Sequence, residues 1–592
     1  MVILKQIYSE TGLFNPVKFH LGINVIMGVY SKGDKKSSGL NGIGKSTLIR
    51  LIDFMFMSSS AKNKHFNPED CSFLKDQNVV LEFEINSQPY FIKRFFNDLD
   101  KIKFGKDLSS LDTYSEKEMK NVLSNLFFED DDLANVHFEN GWFRNLIGFF
   151  IKDDMDNFDR KDPLNFVSNY TSKFDVYTYN LFLLGLPNEA VYEFSILNSS
   201  LQELQTQKNR YIERIQEETG KKVEEIASEI AEIERKISVY EKSLQDHKFL
   251  EPYKEIEAKL IEISQEIETR LKRFSMLRKN LNEYKKSYEY NIEVDPKSIA
   301  KEYSEIKELF GEVIKKKLDE VIEFRKTLSE NRKIFLKDRE LELETQIKKI
   351  SENIAELEDK RSNLYDQLEQ KQALDTLKSS YLQLIEEKTK REKLLSFTNQ
   401  IESLDKDIYL KIDQLNKAIQ EIKSQIDPVQ GKINEIASLY FEITKKVIYD
   451  IESGKAVFSI KPAPDMRSPL NISVEIPKSK ALGKSRYKIL VYDLSVFLNL
   501  IQNKRKLPHF LVHDGVFHSI DIKTIVETLN YVNLKYAQSP NFQYIITANE
   551  SEIIFPDSKK EVYGEYNFKI EDQIVATYTD NPEQMFFKKS YD

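Results

Sequence analysis

The sequence of 592 residues predicts an α/β unit cut in two by a long antiparallel α-helical coiled coil. Three observations carry that expectation. Short β-rich runs mark both ends of the chain, a 3.5-residue apolar repeat fills its middle, and the residues that suggest chemistry are divided between the two ends.

Residues 1–190 read as the first half of the α/β unit. VILKQIYS, INVIMGV, VVLEFEI and PYFIKRFF are strand-like, and the last two predict a hairpin turning around Asn86 to Pro89. LFLLGLP closes the region, with Gly185 and Pro187 as punctuation.

Residues 191–440 change character. Val223, Ile226, Ile230, Ile233, Ile237 and Tyr240 recur at spacings of three and four. Leu343, Ile347, Ile350, Ile354 and Leu357 keep the same rhythm, as do Ile408, Ile412, Leu415, Ile419, Ile422 and Ile426. Such a repeat holds one apolar stripe against a partner helix. A turning point is expected near 291–320, where Asp295-Pro296 and Gly311 interrupt the helical pattern. Each arm is then about 100 residues, or about 150 Å at 1.5 Å per residue. Pro252 predicts a joint in the first arm. Ile233 and Leu404 are expected to face one another. The rival is a parallel coiled coil between two chains, with no turn.

Residues 441–592 return to α/β. KAVFSI, NISVEI, HFLVHD and FQYIITA are strand candidates, and YKILVYDLSVFLNLI is helical.

Composition narrows the classes. The net charge of −9 gives no global positive field, so any contact with DNA must come from a local basic patch. Cys71 is the single cysteine, which rules out an intrachain disulfide framework and any CxxC metal site. No leader-like segment opens the sequence and no long apolar run occurs, so a cytoplasmic protein with no membrane span is expected.

The most specific motif is GLNGIGKST. It follows a strand-like run and opens the apolar helix TLIRLIDFMF, the context of a phosphate-binding loop. Gly39, Asn41, Gly42, Ile43, Gly44, Lys45, Ser46 and Thr47 are the expected nucleotide ligands. The glycines let backbone N–H groups turn inward. Lys45 would reach the β- and γ-phosphates of ATP, and Ser46 would hold Mg²⁺. Lys32, Lys35 and Lys36 beside it read as a solvated loop or as contacts to DNA or nucleotide. Arg94 either reaches nucleotide or braces the fold.

HFLVHDGVFHSID leads into Asp514, a strand-end acid suited to Mg²⁺. FQYIITAN follows and ends in Thr547 and Asn549. These lie beyond the coiled coil from Lys45, so an antiparallel hairpin of the arms must bring them together.

A phosphate-binding loop near the start, a central coiled coil and Asp514 near the end resemble the SMC, RecN and related recombinational-repair ATPases. The resemblance implies an α/β ABC-type P-loop ATPase head, and it places Asp521 in the D-loop. ALGKSRYKILVYDLS occupies the place of the signature, with Gly483 standing for a signature glycine. Three departures stand out. Gly515 replaces the catalytic glutamate, Asn549 replaces the switch histidine, and there is no CxxC for a zinc hook. The combination is similar to the SMC-like subunits of Lamassu-type and ABC-three-component phage-defence systems.

The resemblance further implies a homodimer through the heads, double-stranded DNA and accessory or effector proteins as partners, and slow hydrolysis. Asp514, His513 and Asn549 are the candidate catalytic residues, and His518 is a possible base or γ-phosphate sensor. The alternative is a non-hydrolysing, ATP-locked scaffold, which Gly515 favours. A self-contained nuclease finds no metal-rich cluster in the sequence to support it.

Overall fold

A computed structural model of the chain describes residues 1–31, 40, 42–67, 71–128, 136–153, 162–167, 171–246, 254–289, 341–364, 366, 374–447, 456–465, 467–476, 482–518 and 520–588. Two units result: Met1–Ser200 with Lys411–Asp592, and Leu201–Leu410. The expected turn at 291–320, the joint at Pro252, and Lys32, Lys35, Lys36, Gly39 and Asn41 lie outside the described residues.

The N-terminal half of the first unit supplies β1 (Val2–Tyr8), β2 (Val17–Lys18), β3 (Gly22–Val29), β4 (Asn78–Ile85), β5 (Gln88–Phe95), β6 (Asp98–Gly105) and β7 (Asp112–Tyr114). All but β3 form an antiparallel sheet in the order β2-β1-β4-β5-β6-β7. The β4–β5 hairpin turns on Asn86 and Ser87, at φ of 50° and 67°. A two-residue turn with both centres left-handed matches the twist of its strands, and asparagine tolerates that conformation. Pro89 falls inside β5 instead of in the turn.

Five helices and one short strand complete this half: α1 (Lys45–Met55), α2 (Ser59–Lys64), α3 (Glu116–Phe128), α4 (Phe143–Phe150), β8 (Ile151–Lys152) and α5 (Lys173–Leu184). Ser172 caps the start of α5 through its hydroxyl, and Gly185 ends it at φ 67°. Arg94 resolves its two readings in favour of bracing. Its guanidinium lies 3.8 Å from the centre of the Phe54 ring and donates to the Phe54 and Leu99 carbonyls. Burial lowers its pKa to about 10. It ties the last turn of α1 to the antiparallel sheet.

The helices α6 (Glu189–Thr219), α7 (Val223–Asp246), α8 (Lys254–Glu289), α9 (residues 341–364) and α10 (Leu374–Ile426) follow. Within the second unit, Ile215, Ile226, Ile233 and Ile237 form one core with Leu384, Leu394 and Ile401. The ion pairs fix the direction. Lys208 meets Asp405, Glu218 meets Lys393, Glu229 meets Lys390, and Lys236 meets Glu387. Partner numbers fall as residue numbers rise, so the helices are antiparallel within one chain. The pairing of Ile233 with Leu404 is corrected, because Ile233 lies level with the 387–390 turn. An apolar repeat fixes which face of a helix is buried but is unchanged by a slip of seven residues, so register was not readable from it.

The C-terminal half returns to the first unit with α11 (Gln430–Val447), β9 (Val457–Pro462), β10 (Leu470–Glu475), α12 (Leu482–Gln502), β11 (Phe510–His513), α13 (Ile522–Gln538), β12 (Gln543–Asn549), α14 (Glu550–Ile553), α15 (Lys560–Tyr563) and β13 (Ile574–Thr579). β9 and β10 pair with each other in antiparallel fashion.

A second sheet joins the two ends of the chain in the order β13-β3-β12-β11-β8, with every pairing parallel. β3 is buried along nearly its whole length, as expected of a strand with neighbours on both edges and helices over its faces. Two of the five strands come from before the coiled region and three from after it. Gly28 pairs with Asn549, so the C-terminal ends of β3 and β12 finish side by side. No described helix is long and apolar enough to cross a membrane.

Candidate functional site

The site lies at the C-terminal ends of the parallel strands, where open α/β sheets present their ligand crevice. The loop after β3 enters α1 through Gly42 and Gly44, at φ of 87° and 105°. Left-handed backbone of this kind is costly for any residue with a Cβ. Gly44 is the N-cap of α1 and has no side chain with which to satisfy the helix's first amides. Those amides and the helix's partial positive charge are therefore left to an anion. Ile43 is buried, while Ser46 and Thr47 are half-buried in the first turn. Phe586 closes the loop from behind by donating its N–H to the Ile43 carbonyl at 3.1 Å, and a Cβ on Gly44 would collide with it.

Lys45 is buried and reaches across to the second half of the chain. Its Nζ donates to Asn549 Oδ1 at 2.6 Å and to the Leu40 carbonyl at 3.3 Å. Burial lowers its pKa, and the charges of Glu552 and Asp514 oppose that shift. Two carboxylates thus face one ammonium from elements hundreds of residues away. Gly28 makes this approach possible. A Cβ there would stand 2.7 Å from Lys45 Nζ, 2.9 Å from Ile43 Cδ1 and 3.1 Å from Asn549 Oδ1. Gly28 was not singled out from the sequence, although its position at the end of the strand before the phosphate loop was a signal for it.

Asp514 follows β11 directly and is 4% exposed. Its Oδ1 accepts from Thr547 Oγ1 at 2.6 Å, and the same hydroxyl oxygen accepts the Gly515 N–H at 2.9 Å. Its own N–H donates to the Lys152 carbonyl at 2.9 Å. Thr547, one strand over on β12, therefore fixes the acid's rotamer and leaves its other oxygen for a cation.

The structure takes His513 out of the site. Successive residues of a strand point to opposite faces, so Asp514 and its neighbour diverge. The His513 ring has no solvent exposure and lies with Nε2 3.0 Å from Asp493 Oδ2 and Nδ1 3.1 Å from the Tyr544 hydroxyl. Lys152 Nζ donates to both oxygens of Asp493 at 2.6 and 2.7 Å. Burial holds the imidazole below its ordinary pKa, against the pull of Asp493. This network locks α12 to β8 and β11 from within the core. Asp493 reads in sequence as one polar residue in an apolar helix, and nothing local tells that Lys152 meets it.

Around Gly515, at φ 65°, the chain turns away from the strand. His518 folds back over it, so that a Cβ on Gly515 would lie 3.2 Å from His518 Nδ1. His518 Nε2 is 3.7 Å from Glu552 Oε1. The other oxygen of Glu552 accepts the Asn549 N–H at 2.6 Å.

Asp521 caps α13, accepting the Thr524 N–H at 2.9 Å and its hydroxyl at 2.7 Å. The Tyr487 hydroxyl donates to its second oxygen at 2.6 Å. Burial works against the charge, but the bonds from Tyr487 and Thr524 outweigh it and hold the carboxyl below its ordinary pKa. Arg486 donates to the His518 carbonyl. α12, with Gly483 in its first turn, is thereby tied to the loop of His518 and Asp521.

The donor set suits a nucleoside triphosphate with Mg²⁺. The glycine cradle and the free helix start offer N–H groups to phosphate oxygens, Lys45 offers a cation, and Ser46 and Asp514 offer oxygens to the metal.

A family described as an uncharacterised protein conserved in bacteria (DUF2326) matches residues 439–591. The chain is 23% identical over 581 residues to the uncharacterized protein YydD of Bacillus subtilis (strain 168), covering 94% of this chain and 95% of that one. Two solved structures are also similar to it. One is the Smc head domain with a coiled coil and joint from Pyrococcus yayanosii, at 15% identity and a TM-score of 0.33, covering 92% of each chain. The other is the Smc head domain with an extended coiled coil bound to the C-terminal domain of ScpA, from Pyrococcus furiosus. That likeness is 12% identity and a TM-score of 0.34, over 93% of this chain and 91% of that one. The functional reading is therefore built on this chain's own residues.

Proposed function

We propose that this chain is an SMC-like ATPase that binds ATP with Mg²⁺ at the site assembled from its two ends and hydrolyses it slowly. The observation that carries the reading is the contact of Lys45 with Asn549, beside Asp514, at the ends of adjacent parallel strands. A lysine at the start of a glycine-led helix, facing a strand-end acid, is the arrangement phosphoryl transfer requires. Gly42 to Thr47 would wrap the phosphates, Ser46 and Asp514 would hold the metal, and Asn549 would sense the γ-phosphate through Lys45. The metal neutralises phosphate charge when bound.

In this reading two copies join through their heads, with the Gly483 segment and Asp521 of one turned toward the nucleotide of the other. The link from Tyr487 to Asp521 supports treating those two segments as one body. Closing the dimer on ATP would act on duplex DNA and on accessory or effector proteins in a bacterial genome-maintenance or anti-phage complex. Phosphate release and equilibrium nucleotide binding test the enzyme. Binding to duplex DNA at low and high salt tests the partner, since phosphate contacts weaken steeply with salt. A chain that binds ATP and releases no phosphate would leave only the ATP-locked scaffold.

A further inference from the structure

The place of the missing glutamate is not empty, and it is filled by a side chain from the same loop. A Cβ built on Gly515 would lie 3.2 Å from Nδ1 and 3.4 Å from Cε1 of His518. The imidazole thus occupies the start of the path that a side chain at 515 would follow. His518 is linked to the γ-phosphate end of the site by contacts on each side of Glu552. Lys45 Nζ donates to Asn549 Oδ1 at 2.6 Å, and the Asn549 N–H donates to Glu552 Oε2 at 2.6 Å. Glu552 Oε1 then faces His518 Nε2 at 3.7 Å. Glu552 also acts on Lys45 through its charge. Phosphate lysine, switch residue, carboxylate and imidazole form one run across three segments of the chain.

We infer that His518 is the group that orients and deprotonates the attacking water, and that Glu552 is its positioning residue. This inference rests on the ATPase reading above. Turning Nε2–H toward Glu552 leaves Nδ1 unprotonated, with its lone pair on the Gly515 side. The water oxygen forms a bond to the γ-phosphorus while the bond from that phosphorus to the bridging oxygen breaks. The bridging oxygen leaves with its electron pair on ADP, and the proton lost by the water passes to Nδ1 and then to solvent. Arg486, which donates to the His518 carbonyl, holds the loop from the side of α12, so movement of that helix would be felt at the imidazole. His513, in contrast, is bonded away inside the core.

The test uses the full chain with its nucleotide site intact. His518→Ala and the milder His518→Gln should lower kcat by about tenfold or more, in line with the loss of a general base, while ATP affinity stays within about threefold of the parent. Glu552→Gln should lower kcat and leave KM unchanged. A readout independent of turnover is modification of His518 by diethyl pyrocarbonate, followed by peptide mass spectrometry. A non-hydrolysable ATP analogue with Mg²⁺ should protect His518, and in Lys45→Ala that protection should vanish. Parental turnover in both His518 variants, or equal modification with and without the analogue, overturns the inference. A parent that binds ATP but releases no phosphate also overturns it and leaves the binding site standing. A parent that binds no ATP removes the ATPase reading itself.

Discussion

Lys45 and Asn549 are 504 residues apart in the chain and meet through a 2.6 Å hydrogen bond from Nζ to Oδ1. Both groups are held by strand ends, since Asn549 closes β12 and pairs in register with Gly28 of β3. The contact needs the chain to fold back on itself, and the antiparallel ion pairs of the second unit show it doing so. Position, and not motif strength, makes these two ends one site.

Gly28→Ala should weaken ATP binding by about tenfold while the fold survives. The new methyl would stand 2.7 Å from Lys45 Nζ, the far end of a flexible side chain, so the lysine moves and the strand does not. Thermal unfolding and nucleotide titration, measured side by side, check both halves of this expectation.

Thr547→Val should cost about 1–3 kcal/mol of stability and weaken Mg²⁺-dependent binding as well. The hydroxyl accepts from Gly515 N–H and donates to Asp514, and a valine of similar shape leaves both of those buried groups unpaired. Denaturant unfolding gives the first quantity, and a Mg²⁺ titration at fixed nucleotide gives the second.

Asp521→Ala should cost about 1 kcal/mol near neutral pH through loss of the α13 cap. The folded carboxyl sits below its ordinary value of 3.8. The unfolded chain therefore takes up the proton first as pH falls. The aspartate's contribution is complete above about pH 4 and is lost as pH drops through the folded value. Unfolding curves of parent and variant should differ at pH 7 and converge in strong acid. A gap that widens toward acid would contradict the sign.

In a Cys71→Ser background, Glu229→Cys with Lys390→Cys should be joined by a short bismaleimide within a single chain. These side chains pair at 2.8 Å across the two arms. Denaturing electrophoresis should show a faster-running monomer. A product found only at twice the monomer mass would mean that the arms pair between copies.

Much of this was legible in the sequence. VILKQIYS, INVIMGV, VVLEFEI, HFLVHD and FQYIITA all became strands, because short β-branched runs bounded by turn residues have few other stable uses. β8, at two residues, has too little length for any period to register, and it supplies the Lys152 carbonyl that anchors Asp514. His513 stood beside the acid in the sequence, yet strand alternation sends it to the opposite face and into the core. Gly28 and Glu552 carried no motif. Their importance comes from neighbours hundreds of residues away, which only the pairing of β3 with β12 reveals.

The most direct test is the equilibrium affinity of the full-length chain for ATP with Mg²⁺, measured beside Lys45→Ala and Asp514→Ala. The split site requires saturable binding by the parent, a loss of about tenfold or more in Lys45→Ala, and a loss of the Mg²⁺-dependent part in Asp514→Ala. Affinity unchanged in both variants would show that these two ends of the chain do not form a nucleotide site.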